Sequence, residues 1–176
     1  MKSGYRYIYV PLLVLACTFI AGCFSVKYSF TGASIPPDAK TVSIAYFPNN
    51  APTVAPILSA TLTDGLKDKF ARQTKLQQVS DGTGDLNFQG EIIGYAMTPD
   101  AVSAGDDMAS RYRLTITVRV TYINVLEPQW NFTNKTFTAF DTFPSSQDLA
   151  TAEGTLIPDI VDMLVNDIFN ASVANW

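Results

Sequence analysis

Few side chains in this sequence could carry covalent chemistry. Its only two thiols, Cys17 and Cys23, stand six positions apart in the stretch LACTFIAGC, and the 176 residues include no histidine. Histidine is the usual general base and the most common metal ligand, so its absence argues against serine hydrolases and zinc enzymes. Neither GxGxxG nor GxxxxGK(S/T) occurs, and no pair of carboxylates is singled out by its spacing. We therefore expect no enzymatic activity, no metal site and no cofactor.

The residues around Cys23 instead suit lipid attachment. Lys2 and Arg6 precede an apolar run of about 15 residues, which is typical of a signal peptide and short for a membrane-spanning helix. The run ends in IAGC, which resembles the bacterial lipobox, where small residues fit the peptidase and the cysteine thiol carries the lipid. We expect residues 1–22 to be a signal peptide that removes Cys17, and Cys23 to be lipidated. A signal peptide cleaved elsewhere, with a free Cys23, is the alternative.

Arginines stand out on one predicted strand. In RYRLTITVRVTYINV the odd positions from 111 to 121 hold Arg111, Arg113 and Arg119 with three threonines, and the even positions from Tyr112 to Tyr122 are apolar. Side chains alternate across a strand, so the arginines should line one face of a sheet. Arginine forks suit phosphate and carboxylate groups, which makes these three residues candidates for binding an anionic ligand. A solvated sheet face without a ligand is the alternative.

A fourth cationic candidate is Lys135, on the next predicted strand, WNFTNKTFTAFDTF. The apolar positions of that strand change from even numbers, at Trp130 and Phe132, to odd numbers, at Phe137. An extra residue near Asn134 would produce this change, so we predict a β-bulge there. We expect Lys135 to lie near an arginine of the neighbouring strand, Arg119.

Two further strands and two helices should position these residues. TVSIAYF is predicted to bury Val42, Ile44 and Tyr46, and a strand from Leu86 is predicted to bury one face and to lead into a loop at 98–110. KLQQV contains only a strand stub. A first helix, from about Thr53 to Arg72, places apolar side chains at steps of four residues, namely Leu58, Leu62, Leu66 and Phe70, and Ile57 is expected on the same side.

The last turns of this first helix are basic, with Lys67, Lys69, Arg72 and then Lys75. They could form a patch for an anionic ligand, or they could only reflect the preference of cations for a helix C-terminus. The final segment predicts a second amphipathic helix with the stripe Ile157, Ile160, Val161, Leu164, Val165, Ile168 and Phe169. Pro158 predicts a kink or a fresh start in this helix, with Thr155 as a possible cap.

The predicted order is therefore β-α-β-β-β-α. Four strands with one apolar face and two helices with one apolar stripe each predict a two-layer α/β sandwich, in which a mixed four-stranded sheet is covered on one face. We expect a tether and entry loop at 23–40 and a single domain at 41–176. Cleavage would remove two positive charges and change the formal charge from −4 to −6, and an acidic chain does not favour nucleic-acid binding.

Taken in order, these features resemble the LptE family of lipopolysaccharide-assembly lipoproteins. The resemblance covers the mature chain and rests on the lipobox, YSFTGASIPPDAKTVSIAYFPNNAPTVAP, LSATLTDGLKDKFARQTKL, GDLNFQGEIIGY, RLTITVRVTYIN and DIFNASVANW. It implies a palmitate-bearing lipoprotein of the inner leaflet of the outer membrane. Phe24, which stands where an inner-membrane retention aspartate would, agrees with that location. Pro158 and Gly154 depart from the uninterrupted final helix expected of this family.

The resemblance also implies a partner and a non-enzymatic function. Such proteins act as a plug in the barrel of LptD, help it to assemble and contribute to the delivery of lipopolysaccharide to the cell surface. No motif carries the family's basic contact residues onto this sequence, so Arg111, Arg113, Arg119 and Lys135 stay candidates for lipopolysaccharide binding. The alternative function is a stand-alone outer-membrane lipoprotein that binds an anionic ligand or scaffolds an envelope complex.

Overall fold

The computed structural model describes most of the predicted domain, namely residues 35–53, 55–80, 82–100 and 111–173. The predicted signal peptide, both cysteines and residues 23–34 of the predicted tether lie outside the described residues, as do residues 101–110 of the predicted loop.

Five strands form one sheet in the spatial order β2-β1-β3-β4-β5. β1 is parallel to both of its neighbours, and β3, β4 and β5 are antiparallel. The mixed α+β two-layer prediction is therefore right, but the prediction of four strands is wrong. The extra strand is the KLQQV stub, which is too short to show a periodicity and is extended because it pairs with β1. The strands are β1 Thr41–Ile44, β2 Gln77–Val79, β3 Leu86–Asp100, β4 Arg111–Asn124 and β5 Phe132–Pro144.

Two helices, α1 Leu58–Gln73 and α2 Leu149–Val173, cover one face of this sheet. α1 begins five residues after the predicted Thr53. The predicted stripes of both helices are confirmed except at Ile57, since their other apolar residues are buried against the even-numbered side chains of β4. Ile57 precedes α1 and is 52% exposed, so its predicted place in the stripe is wrong. Neither of the described helices is long and apolar enough to cross a membrane.

α2 runs without interruption through Pro158, so the predicted fresh start is wrong. The hydroxyl of Thr155 donates to the carbonyl of Ala152 (3.1 Å) and does not cap a helix. The cap is Asp148, whose Oδ1 accepts the backbone N–H of Thr151 (2.9 Å) and whose Oδ2 accepts the Thr151 hydroxyl (2.8 Å). These bonds favour the ionised carboxylate and lower the pKa of Asp148.

The chain leaves β1 earlier than its alternation predicts. The strand ends at Ile44, and Tyr46 is 60% exposed, whereas Phe47 is completely buried. The prediction that Tyr46 faces the core is therefore wrong. The irregular segment after β1 turns the next aromatic side chain, Phe47, into the core.

Two bulges interrupt the alternation of the long strands. The pairing of β3 with β4 shifts between Ile92 and Gly94, which inserts one extra residue into β3. The pairing of β5 with β4 shifts next to Asn134, whose φ of 54° is unusual for a residue other than glycine, and this confirms the predicted bulge. Beyond the β3 bulge, odd-numbered residues such as Tyr95 face the core. Asp100 consequently faces away from the helices.

Candidate functional site

The face of the sheet opposite the helices, called the open face below, carries the predicted arginines. Arg111, Arg113 and Arg119 share it with the odd-numbered threonines of β4, while the even-numbered residues from Leu114 to Tyr122 are buried. The predicted alternation of β4 is confirmed. The structure adds the neighbours that β3 and β5 bring beside these arginines.

Near the hairpin end of β3 and β4, five residues form what we call the tip cluster: Asp100, Arg111, Arg113, Phe140 and Thr142. Arg113 Nη2 donates to Asp100 Oδ1 (2.6 Å), and the side chain of Asp100 is only 10% exposed. The Arg113 guanidinium lies 4.1 Å from the ring centroid of Phe140, a cation–π distance. Asp100 therefore neutralises the charge of Arg113, and Phe140 holds its guanidinium in place.

Arg111, also in the tip cluster, is held without a carboxylate. Its Nε and Nη2 donate to Thr142 Oγ1 (3.1 and 2.8 Å), and Nη2 also donates to the Thr142 carbonyl (3.0 Å). Among the described residues, no acidic side chain lies within 4.0 Å of its guanidinium. The described part of the tip cluster therefore has two positive charges and one negative charge. A guanidinium oriented in this way is suited to a phosphate or carboxylate group.

Arg119 stands apart from the tip cluster. Its Nη1 donates to Glu91 Oε1 (3.0 Å), and Glu91 Oε2 accepts from Asn50 Nδ2 (2.7 Å). A shallow cavity of about 290 Å³ adjoins this pair, lined by Pro48, Gln89, Gly90, Glu91, Arg119, Thr121 and Asn134. Because its charge is already paired and shared in a network, Arg119 is a weaker anion site than Arg111.

Lys135 lies on the strand next to Arg119, one position from Thr136, the register partner of Arg119, but it faces the opposite side of the sheet and does not join the arginines. Lys135 pairs with Val120, a completely buried residue of β4. Its ammonium lies 5.2 Å and 5.4 Å from the ring centroids of Phe132 and Phe137. It therefore belongs to the helix-covered side. The signal was in the sequence, because beyond the bulge Lys135 has the same parity as Phe137.

Other site residues were missed by sequence reasoning. The polar stretch TPDAVSAGDDMAS predicts a loop that includes Asp100, yet β3 continues to Asp100, which pairs with Arg111. The predicted bulge of β5 places Phe140 and Thr142 on the open face, but nothing in the sequence indicates which residues of β4 they meet. Within the ranges that the structure describes, no three acidic, cysteine or histidine side chains form a metal-binding group.

The basic end of α1 is partly engaged. Lys69 Nζ donates to Asn166 Oδ1 (2.5 Å) and lies 5.4 Å from the ring centroid of Phe169, while Arg72 pairs with Asp68 (3.1 Å). The contacts of Lys69 connect α1 with α2, and the pair of Arg72 with Asp68 lies within α1. Both the anion patch and the helix-terminus interpretation stay open for this group.

Comparison with known proteins identifies the fold and a family. A family model described as LptE, lipopolysaccharide assembly, matches residues 39–172. A search of curated proteins gave no significant match. The hypothetical protein CT253 from Chlamydia trachomatis is 11% identical, with a TM-score of 0.57, over 78% of this chain and 99% of that one. At that identity the likeness shows the fold alone.

Two lipoproteins are more distantly similar in structure. A minor lipoprotein from Acinetobacter baumannii is 16% identical, with a TM-score of 0.44, over 75% of this chain and 91% of that one. Lipoprotein GNA1162 from Neisseria meningitidis is 8% identical, with a TM-score of 0.42, over 74% of this chain and 99% of that one.

Proposed function

The chain belongs to the LptE family of lipopolysaccharide-assembly proteins, and from this premise we propose that it is the plug and assembly partner of an LptD-like barrel. It is anchored in the outer membrane by a lipid on Cys23 and acts without covalent chemistry in the transport of lipopolysaccharide to the cell surface. The observation that carries the proposal is the match over residues 39–172, which includes all five strands and nearly all of α2.

The open face supports a position inside a barrel. Along β4 it presents arginines and threonines, and its neighbours on β3 include Glu91 and Asp100. The lumen of a membrane barrel is polar and wet, so a plug needs a surface of this kind. A solvated surface would have a similar composition, so composition alone does not distinguish the two. The direct test is recovery of the barrel partner.

The tip cluster is the part of the open face that best fits lipopolysaccharide. Arg111 lacks a carboxylate partner among the described residues, and its fork is held by Thr142. Phosphate groups on a lipid headgroup provide the complementary charge. Arg113 reinforces the positive field, but Asp100 offsets its charge.

Recovery of the partner tests the barrel proposal. The tagged full-length protein is extracted from membranes in mild detergent and captured, and the co-purifying proteins are identified. We expect one large β-barrel protein in near-equal amount, also with Arg111→Gln, which leaves the fold unchanged. Capture of the lipoprotein alone, together with unchanged surface lipopolysaccharide after gene deletion, would contradict the proposal and favour the stand-alone lipoprotein.

Lipopolysaccharide capture tests the tip cluster separately. We expect Arg111→Glu with Arg113→Glu to weaken capture by purified protein on the order of tenfold, and Arg111→Gln alone to weaken it less. Lys135→Glu is the control for a single charge reversal, because it reverses one positive charge on the helix-covered side, and Arg111→Glu alone is compared with it. Equal capture by Arg111→Gln, Lys135→Glu and the wild type would show that the arginines are solvated surface only.

A further inference from the structure

We propose that the end of the domain where the tether joins is a membrane-docking surface that contacts anionic phospholipid headgroups. This tether end comprises Lys40, the basic end of α1 with Lys67 and Lys75, and the turn between β4 and β5. The proposal rests on the proposed lipid anchor at Cys23, to which it adds a second contact with the same membrane.

Hydrogen bonds show that these segments lie at one end of the sheet. The Lys40 carbonyl accepts the N–H of Gln77 (2.8 Å), the first residue of β2. The Lys40 N–H donates to Asp85 Oδ2 (2.9 Å), and the Asp85 carbonyl accepts the N–H of Val125 (2.9 Å). The side chain of Gln78 donates to the carbonyl of Lys67 in α1 (2.8 Å). The tether, the basic helix end and the β4–β5 turn are therefore neighbours.

The helix side of the tether end is cationic. Four cations stand in the last turns of α1 and the following turn, namely Lys67, Lys69, Arg72 and Lys75, and Asp68 is the single acid among them. Asp162 of α2 lines the same cleft as Lys69 and Arg72, so the local excess is two positive charges, in a chain whose formal charge is −4. Each lysine beside an anionic membrane surface strengthens binding several-fold.

The β4–β5 turn supplies apolar side chains at the same end. Val125, Leu126 and Trp130 are 59%, 42% and 47% exposed, and Trp130 closes a short 3₁₀ helix, Pro128–Trp130. Single exposed apolar residues are normal, but three in one turn form a patch. Tryptophan favours the membrane interface, where its ring is buried and its N–H stays in contact with polar groups.

The position of the lipid anchor explains why a surface with low affinity for the membrane would suffice for docking. Cys23 lies 12 residues before Ile35, the first described residue, so a fully extended tether reaches at most about 43 Å. A lipid on Cys23 would hold the tether end at high effective concentration beside the membrane. The tip cluster lies at the other end of β3, a strand of 15 residues or about 45 Å, so it takes no part in this surface.

Vesicle binding of the unlipidated mature chain tests the surface without the anchor. Cys23→Ser prevents lipidation, and Trp176→Phe leaves Trp130 as the only tryptophan of the original two. Vesicles of phosphatidylethanolamine with phosphatidylglycerol, free of lipopolysaccharide, carry brominated acyl chains that quench a nearby indole. We expect quenching of Trp130 fluorescence on these vesicles and several-fold less quenching on vesicles of phosphatidylcholine alone.

Variants assign the binding to the two parts of the surface. Lys67→Gln with Lys75→Gln should weaken partition into the anionic vesicles on the order of tenfold, and Leu126→Ser should weaken it on both kinds of vesicle. Tyr46→Ser is the control, since it removes an equally exposed aromatic residue beyond the far end of β1 and should change nothing. Circular dichroism verifies that each variant is folded.

The outcomes separate this inference from the proposed function. Absent quenching, or an equal loss of binding with Tyr46→Ser, overturns the docking surface and leaves the lipid anchor and the barrel partner untouched. Conversely, vesicle binding that depends on Lys67 and Lys75 supports the surface even if metabolic labelling in cells finds no lipid on Cys23.

Discussion

The two ends of the sheet both present cations, but they hold them in different ways. In the tip cluster, Arg111 and Arg113 stand on a strand and are fixed by Thr142, Asp100 and Phe140. At the tether end, by contrast, the cations stand on the last turns of a helix, largely in solvent. A fixed fork selects the geometry of a phosphate group, whereas a group of solvated lysines responds to the charge of a surface.

The difference follows from the elements that carry the residues. Strand neighbours are set by pairing, so each side chain of β4 meets defined partners on β3 and β5. The end of α1 has fewer neighbours, and its cations are positioned mainly by the helix itself. Changes to the register of the sheet should therefore disturb the tip cluster first.

The largest expected effect comes from Gly90, where β3 and β4 approach closely. A Cβ at this position would lie 2.3 Å from the Arg119 carbonyl oxygen and 2.6 Å from the Phe47 ring. We expect Gly90→Ala to destabilise the fold by about 3 kcal/mol, because neither the backbone nor the buried ring can move freely. Urea denaturation measures the change.

The control for this substitution is Gly154→Ala in α2. A Cβ at Gly154 meets nothing within 4 Å, and alanine favours a helix by about 1 kcal/mol over glycine. This variant should be slightly more stable than the wild type. If Gly90→Ala were as stable as Gly154→Ala, close approach of the strands could not be what maintains the register.

A smaller effect should separate the two arginines of the tip cluster. Arg113→Ala removes the partner of Asp100, a nearly buried carboxylate, and the contact with Phe140, so we expect a loss of about 2 kcal/mol in the free energy of unfolding. Arg111→Ala should cost less than about 0.5 kcal/mol, because its bonds to Thr142 are exposed. Equal losses would mean that the ion pair has no structural role.

The smallest expected effect is on the loss of stability at acid pH. Asp85, at the tether end, is compared here with Asp148, which caps α2. The N–H of Lys40, the hydroxyl and the N–H of Thr41 donate to Asp85 and lower its pKa. A lowered folded-state pKa contributes stability above the unfolded pKa, and this contribution is lost as the pH falls below about 4. Thermal unfolding from pH 7 to pH 2 should show a shallower decline for Asp85→Asn and for Asp148→Asn.

At neutral pH these two variants should differ. Asparagine caps a helix as well as aspartate does, so Asp148→Asn should keep its melting temperature. Asp85→Asn should melt lower, because one neutral amide replaces a carboxylate oxygen that accepts three bonds at the tether end. A melting temperature as high as that of Asp148→Asn would show that Asp85 does not hold the tether end together.

Local patterns predicted much of this fold. The alternation of β4 placed Arg111, Arg113 and Arg119 on one face, and steps of four residues predicted the buried stripes of both helices. These signals are strong because each depends on one element alone. The prediction failed for β2, because its conformation is decided by pairing with β1. It failed for Tyr46, because an irregular segment decides the conformation there.

The sequence by itself determined which side chains of β4 face outwards, the apolar stripes of the helices and, through the change of parity, the bulge of β5. Only the tertiary structure decided that Asp100 meets Arg113 and that Thr142 holds Arg111. The reason is physical. A bulge exchanges the faces of every residue beyond it, and which residues then become neighbours depends on strands that are distant in the sequence.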